Sequence, residues 1–188
     1  MRYFLLYLTI ISPISAAVPI KSFDDFDWGA DAEDIVAERV TPSKALGGFM
    51  VYKSAPDIIG GHSVEWVKYL FSKGTCVKDY CGLWGGEYHF ESADKKTCES
   101  IKDRVSHKYG DYQLSNEKIK LGNKYHVDLN TNFLQSDGSS ISVNARKIFN
   151  VDEADIFAIA GIDSLWVTYH SPEYNRLLTS VNAQRGKR

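Results

Sequence analysis

The chain is short of several things, and each shortage excludes something. Cysteine occurs three times, at Cys76, Cys81 and Cys98. The number is odd, so one thiol is left free or pairs with another chain. The Cys-x4-Cys spacing has no histidine at ligand distance, so no zinc site is expected, nor any other metal. No run after the N-terminus approaches the ~18 apolar residues of a membrane span. No basic stripe interrupts a formal net charge of −2, which argues against nucleic acid as a partner. There are no internal repeats, and the only biased segment is a short basic tail.

What is present makes a folded domain. Hydrophobic residues are 44% of the 188 and aromatics 13%, enough for one sizeable core. Residues 1–17 read as a secretory signal, with Arg2 before the apolar Tyr3 to Ile11 and Ser15-Ala16-Ala17 at the cleavage site. A secreted, extracellular protein is expected, with mature charge −3 once Arg2 is removed. Export favours a disulfide, and Cys98 with Cys76 or Cys81 would staple a loop to the following helix. The end, Arg185-Gly186-Lys187-Arg188, is either a dibasic processing site or a simple tail.

Taken in order, Val18 to Glu33 mixes Phe23, Phe26 and Trp28 with five acids and has no clean period. It reads as an arm or pro-segment, residues 18–34. One domain follows over 35–182, then the tail at 183–188. Ile35 to Val40 reads as a strand that Thr41-Pro42-Ser43 breaks. Gly47-Gly48 and Gly60-Gly61 are turns. Val64, Val67 and Phe71 predict a helix over Val64–Phe71, capped by Ser63. Glu87–Phe90 reads as a strand. Ser92 caps a helix over Asp94–Tyr109, with Cys98, Ile101 and Val105 on one face and Gly110 as its stop. Leu114–Lys120 is mostly polar. Tyr125–Leu129 and Leu165–Tyr169 read as strands, Ile141–Phe149 as a strand or short helix, and Ser171-Pro172-Glu173 as a helix start. The class is α+β. Trp66, Trp84 and Trp166 read as core or loop anchors.

The most chemically suggestive stretch is Asn150–Gly161. Asp152, Glu153 and Asp155 precede Ile156–Ile162, a run apolar apart from Gly161. In a strand Glu153 and Asp155 share a face, where two carboxylates serve acid/base work or hold a cation. The alternative is an acidic turn that solubilises the mouth of a buried strand.

The order of these elements resembles the A subunit of the cholera and heat-labile enterotoxins, secreted ADP-ribosyltransferases, over roughly Ile35 to Tyr169. Arg39, at the end of Ile-Val-Ala-Glu-Arg, is similar to that family's strand arginine. Gly47-Gly48-Phe49 is similar to its glycine turn and Val64–Phe71 to its first helix. Tyr88-His89-Phe90-Glu91-Ser92 falls at its Tyr-x-Ser-Thr-Ser, keeping Ser92 alone of the triplet. Asp152-Glu153-Ala154-Asp155-Ile156, then Ala158-Ile159-Ala160-Gly161-Ile162, resembles its Glu-x-Glu pair and the small-x-Gly-Gly-Ile run.

The resemblance implies an ADP-ribosyltransferase-like split β-sandwich with short flanking helices. It implies NAD as substrate and a host or competitor protein as target. Arg39 would hold the NAD phosphates through its planar fork, beside Gly47 and Gly48. Asp155 would steady the oxocarbenium-like ribose, Glu153 orient or deprotonate the acceptor, and Ser92 brace the catalytic carboxylate. Asp155 is one methylene shorter than the family's glutamate, and Phe90 and Glu91 replace two of its Ser-Thr-Ser residues. These departures carry a second reading, a catalytically silent exported effector that acts by binding. A third is a small secreted ribonuclease, with Glu87 or Glu91 as base and His89, His126 or His170 as acid.

Overall fold

The computed structural model describes residues 18–31, 40–46, 49–54, 58–72, 82–150 and 161–176. The signal expected at residues 1–17, the tail expected at 183–188, and Cys76 and Cys81 lie outside them. Two short strands come first, β1 (Ser22–Phe23) and β2 (Phe26–Asp27). The main strands are β3 (Val40–Leu46), β4 (Phe49–Ser54), β5 (Ile58–Ile59), β6 (His62–Ser72), β7 (Leu83–Phe90), β8 (Gln113–Leu121), β9 (Lys124–Leu134), β10 (Ser140–Asn150) and β11 (Ser164–His170). Helix α1 (Lys95–Tyr109) joins β7 to β8, and a helical turn starts at Pro172. The α+β class holds, with strand dominating.

All pairing is antiparallel, in the order β3-β4-β6-β7-β11-β10-β9-β8, with β5 added to β6. From β8 to β11 the chain meanders, and β11 then slots between β10 and β7. Helix α1 must therefore carry the chain from the middle of the sheet to its far edge, which lays it across one face. Its buried residues are Thr97, Ile101, Val105 and Tyr109. They meet Tyr88, Phe90, Ile141, Val143, Leu165 and Val167 in one core.

The helix begins where a cap allows it. Asp94, rather than Ser92, is the N-cap: its Oδ1 accepts from the Thr97 backbone N–H at 2.8 Å and its Oδ2 from the Thr97 hydroxyl at 2.9 Å. Gly110, at φ 86°, closes the other end.

The helix expected over Val64–Phe71 is strand β6 instead. Register shifts between Val64 and Trp66, a β-bulge that puts Val64 and Val67 on one face although they are three residues apart. Beyond it the period is 2, and Val67, Tyr69 and Phe71 are all buried. A bulge thus imitates a helical repeat. Likewise β3 runs through Pro42 rather than stopping there. It is an edge strand with a register shift between Pro42 and Lys44, where a missing N–H is tolerated. Strand β8 left little trace in the sequence because it is the opposite edge, exposed at every position.

The N-terminal segment belongs to the core. Phe23 is 2% exposed, its ring centroid 4.6 Å from Tyr88 and 5.4 Å from both Tyr69 and Tyr169. It sits directly over Gly86, where a Cβ would come within 2.0 Å of the ring. Asp24 and Asp25 make the β1–β2 turn at φ 51° and 68°. The Asp24 carboxylate accepts from the Tyr69 and Tyr88 hydroxyls, which offsets that backbone cost. Gly29 N–H donates to Leu83 carbonyl and Leu83 N–H to Ala30 carbonyl, both at 2.9 Å, fastening the segment to the start of β7.

Removing the ring should leave a void among three tyrosines. Phe23→Ala is expected to lower unfolding stability by about 3–5 kcal/mol, read from the urea midpoint. Gly86→Val should destabilise as well, by forcing Phe23 out.

Candidate functional site

Alternation along the strands decides what the second face of the sheet, left uncovered by any helix among the described residues, carries. On β7, Tyr88 and Phe90 point to the helix, so Glu87 and His89 point away. On β11, Leu165, Val167 and Tyr169 point in, and Trp166, Thr168 and His170 point out. The registers then fix the neighbours. His89 lies between Trp66 of β6 and Trp166 of β11, and Glu87 between Lys68 and Thr168.

The result is a ladder of stacked groups crossing the sheet. The His89 ring stacks on Trp66 at 3.3 Å and on Trp166 at 5.6 Å, with interplanar angles of 22° and 9°. Lys68 Nζ lies 4.6 Å over the Trp66 ring, and the Arg146 guanidinium 5.2 Å over Trp166. Each charge also has an acid. Lys68 donates to Glu87 at 2.9 Å, and Arg146 makes a forked pair with Asp128 at 2.6 and 2.7 Å. His89 Nε2 contacts Glu87 Oε1. Beside the ladder, Asn144 Nδ2 donates to Thr168 Oγ1 at 3.2 Å, and Ser142 donates to Asn132 at 2.8 Å.

These contacts set the protonation states. Burial pushes the Glu87 carboxyl up, but the hydrogen bonds from His89 and Lys68 and the charge of Lys68 outweigh it and hold the group below its ordinary range. Burial between two indoles pulls His89 down despite Glu87, so the imidazole is neutral at pH 7. His170, on the same face and stacked on Tyr174 at 4.3 Å, is lowered by burial to about 4. The site at neutral pH is therefore one carboxylate, one ammonium, one guanidinium–carboxylate fork and two uncharged imidazoles.

Of the residues expected to act, Arg39, Gly47, Gly48, Glu153 and Asp155 lie outside the described residues. Ser92 is exposed, and its hydroxyl donates to Asp94 at 2.5 Å, supporting the cap of α1. Of the acid/base candidates, the fold brings Glu87, His89 and His170 to one face. By register His126 shares this face as well, two residues along β9 from Asp128 and opposite Ile148, whereas Glu91 is exposed beyond β7. Trp84 is a core anchor, 3% exposed. Trp66 and Trp166 are ladder rungs instead, and Lys68, Asp128 and Arg146 were not singled out. The signal for them was the i, i+2 pairing of Trp66 with Lys68, legible once residues 64–71 are read as a strand.

The strand that Arg39 precedes, β3, is separated from β11, which follows the acidic stretch, by β4, β6 and β7. Four strand spacings amount to roughly 19 Å in a flat sheet. Among the described residues no three His, Cys, Asp or Glu side chains gather as metal ligands, and no helix is long and apolar enough to cross a membrane. Cys98 is half-buried on α1, with its thiol pushed up by burial. Comparison with protein-family models, curated proteins and solved structures finds no match for this chain.

Two histidines held neutral in the fold make stability depend on pH. Their folded values lie below the unfolded value of about 6.5, so the unfolded chain takes up protons first. The stability they contribute is complete above pH ~6.5 and falls as pH drops toward the folded values. For His170 that window is ~6.5 to about 4. Urea midpoints measured across it should decline on acidification, and His170→Phe should flatten part of the slope.

Proposed function

We propose that this is an exported protein that acts by binding a protein partner through the uncovered face of its sheet. The observation that carries this reading is the saturation of the Trp66–His89–Trp166 ladder. A catalyst needs a group held short of satisfaction, poised to take or give a proton. Here Lys68 and His89 both engage Glu87, Arg146 is forked by Asp128, and both faces of the His89 ring are covered. Such a surface is rigid before any partner arrives, so little side-chain entropy is lost on contact. Its composition, two tryptophans with an arginine, is that of interface hot spots. Strand β8 adds a free edge among the described residues, with Ile119 and Leu121 exposed toward this same face, where a partner strand can pair.

The finer assignment, an ADP-ribosyltransferase-like split β-sandwich that consumes NAD, is favoured by one observation. Strand β7 ends at Phe90 and passes through Glu91 and Ser92 into α1, the strand–serine–helix order that the enterotoxin resemblance implies. Against it, the segment matched to that family's first helix is a strand. This reading makes Arg39, Glu153 and Asp155 the working residues. The ribonuclease reading gains the contact between Glu87 and His89, but the pair faces itself rather than flanking a space for a phosphate.

Two measurements separate the three. Purified mature protein should cleave neither NAD nor RNA above background. NAD cleavage lost in Glu153→Ala, or RNA cleavage lost in His89→Ala, would overturn the binding reading. A photo-cross-linking residue in place of Lys68 should trap a discrete protein from target-cell extract. The same group in place of Lys108, on the helix side, should not, and the product should vanish in a folded Trp66→Ala/Trp166→Ala background.

A further inference from the structure

On the opposite side of the sheet a cavity of about 320 Å³ opens between α1, the β5–β6 turn and the strands below. Its floor is apolar and aromatic: Tyr88, Phe90, Val167 and Tyr169 from the sheet, Ile101, Val105 and Tyr109 from the helix. Its rim is cationic. Arg104 and Lys108, one helical turn apart on α1, both line it, and His62 closes the side with Nε2 3.1 Å from Ser100 Oγ. Arg104 lies across the opening against the Gly60 turn, where a Cβ on Gly60 would sit 3.5 Å from its Cδ and Nη1.

The charges at this rim differ from those of the ladder. Lys68 and Arg146 are each paired with an acid, whereas none of the residues lining the cavity is acidic. Arg104 and Lys108 form no ion pair among the described residues; Lys108 rests over the Tyr109 ring at 5.0 Å. An apolar chamber with a few convergent polar groups is the usual form of a small-molecule site, and this volume lies at the small end of that range. Two unpaired cations beside it select the sign of the ligand.

We propose that this cavity binds a small organic acid, its apolar body on the aromatic floor and its carboxylate on Arg104 and Lys108. The fork of the guanidinium suits a carboxylate, and Arg104 already lies at the opening beside the Gly60 turn. The site is separate from the uncovered face, so it stands or falls independently of the partner proposed there.

The test is calorimetric titration of the full mature protein with decanoate, kept below its micelle concentration, and with 3-phenylpropionate. Decanol serves as the neutral control for the acid head. At least one acid should bind saturably, and decanol at least about tenfold more weakly than decanoate. Arg104→Gln should weaken acid binding by about tenfold or more, the loss of one charge-assisted hydrogen bond. Arg104 is exposed, so that variant should fold normally. Lys118→Gln, on the edge strand β8, should leave binding unchanged. No saturable binding of either acid would overturn the proposal. So would decanol binding as well as decanoate, Arg104→Gln binding within twofold of the native protein, or Lys118→Gln weakening binding as much as Arg104→Gln.

Discussion

The contact of Phe23 with Gly86 holds the centre of this protein together. Strand β7 touches the N-terminal segment, β6, β11 and, through Tyr88 and Phe90, helix α1. A side chain at position 86 would close the seat of Phe23. With the seat open, the ring joins three tyrosines, and the Asp24 carboxylate ties two of their hydroxyls. The glycine costs backbone entropy in a strand, and the aromatic cluster it admits offsets that cost. Residues 18–31 thus complete the core on the helix side of the sheet.

Because β7 is central, its two faces set the two surfaces of functional interest. On the helix side α1 leaves two openings, the cavity where Arg104 lies against the Gly60 turn and a second of about 400 Å³ between α1 and strands β8, β9 and β10. The other side has no helix over it among the described residues, and bears the ladder. The physical contrast is in the charges. On the uncovered face Lys68 and Arg146 each meet a carboxylate and an indole, so the ladder is neutralised and stiff. Around the Arg104 cavity the cations meet no acid that lines it, so the surface there keeps a positive potential for an anion to answer.

Much of the strand and helix pattern was legible. Helix α1 announced itself through Cys98, Ile101 and Val105 at helical spacing and through Gly110. Strands β9 and β11 were read as strands, and β10 was left open between strand and short helix although Ile141, Val143 and Ala145 alternate. The misreading of Val64–Phe71 has a local cause, one extra residue between Val64 and Val67 that mimics a helical step. Glu87 and His89 were both among the acid/base candidates, but Glu91, His126 and His170 stood equal with them. The tryptophans that enclose His89 were not visible as its neighbours, since they lie on strands 23 residues before it and 77 after it.

By itself the sequence determined the class of the fold, the helix, several strands and the turns, because these depend on periodicity and caps within a dozen residues. Only the tertiary structure decided that Phe23 fills the space over Gly86, that Trp66, His89 and Trp166 share one stack, and that Arg104 lies against Gly60. Each of these joins residues distant along the chain. Their neighbourhood is set by strand order and by which face a bulge assigns to each side chain. Those depend on non-local pairing, which no short window of sequence contains.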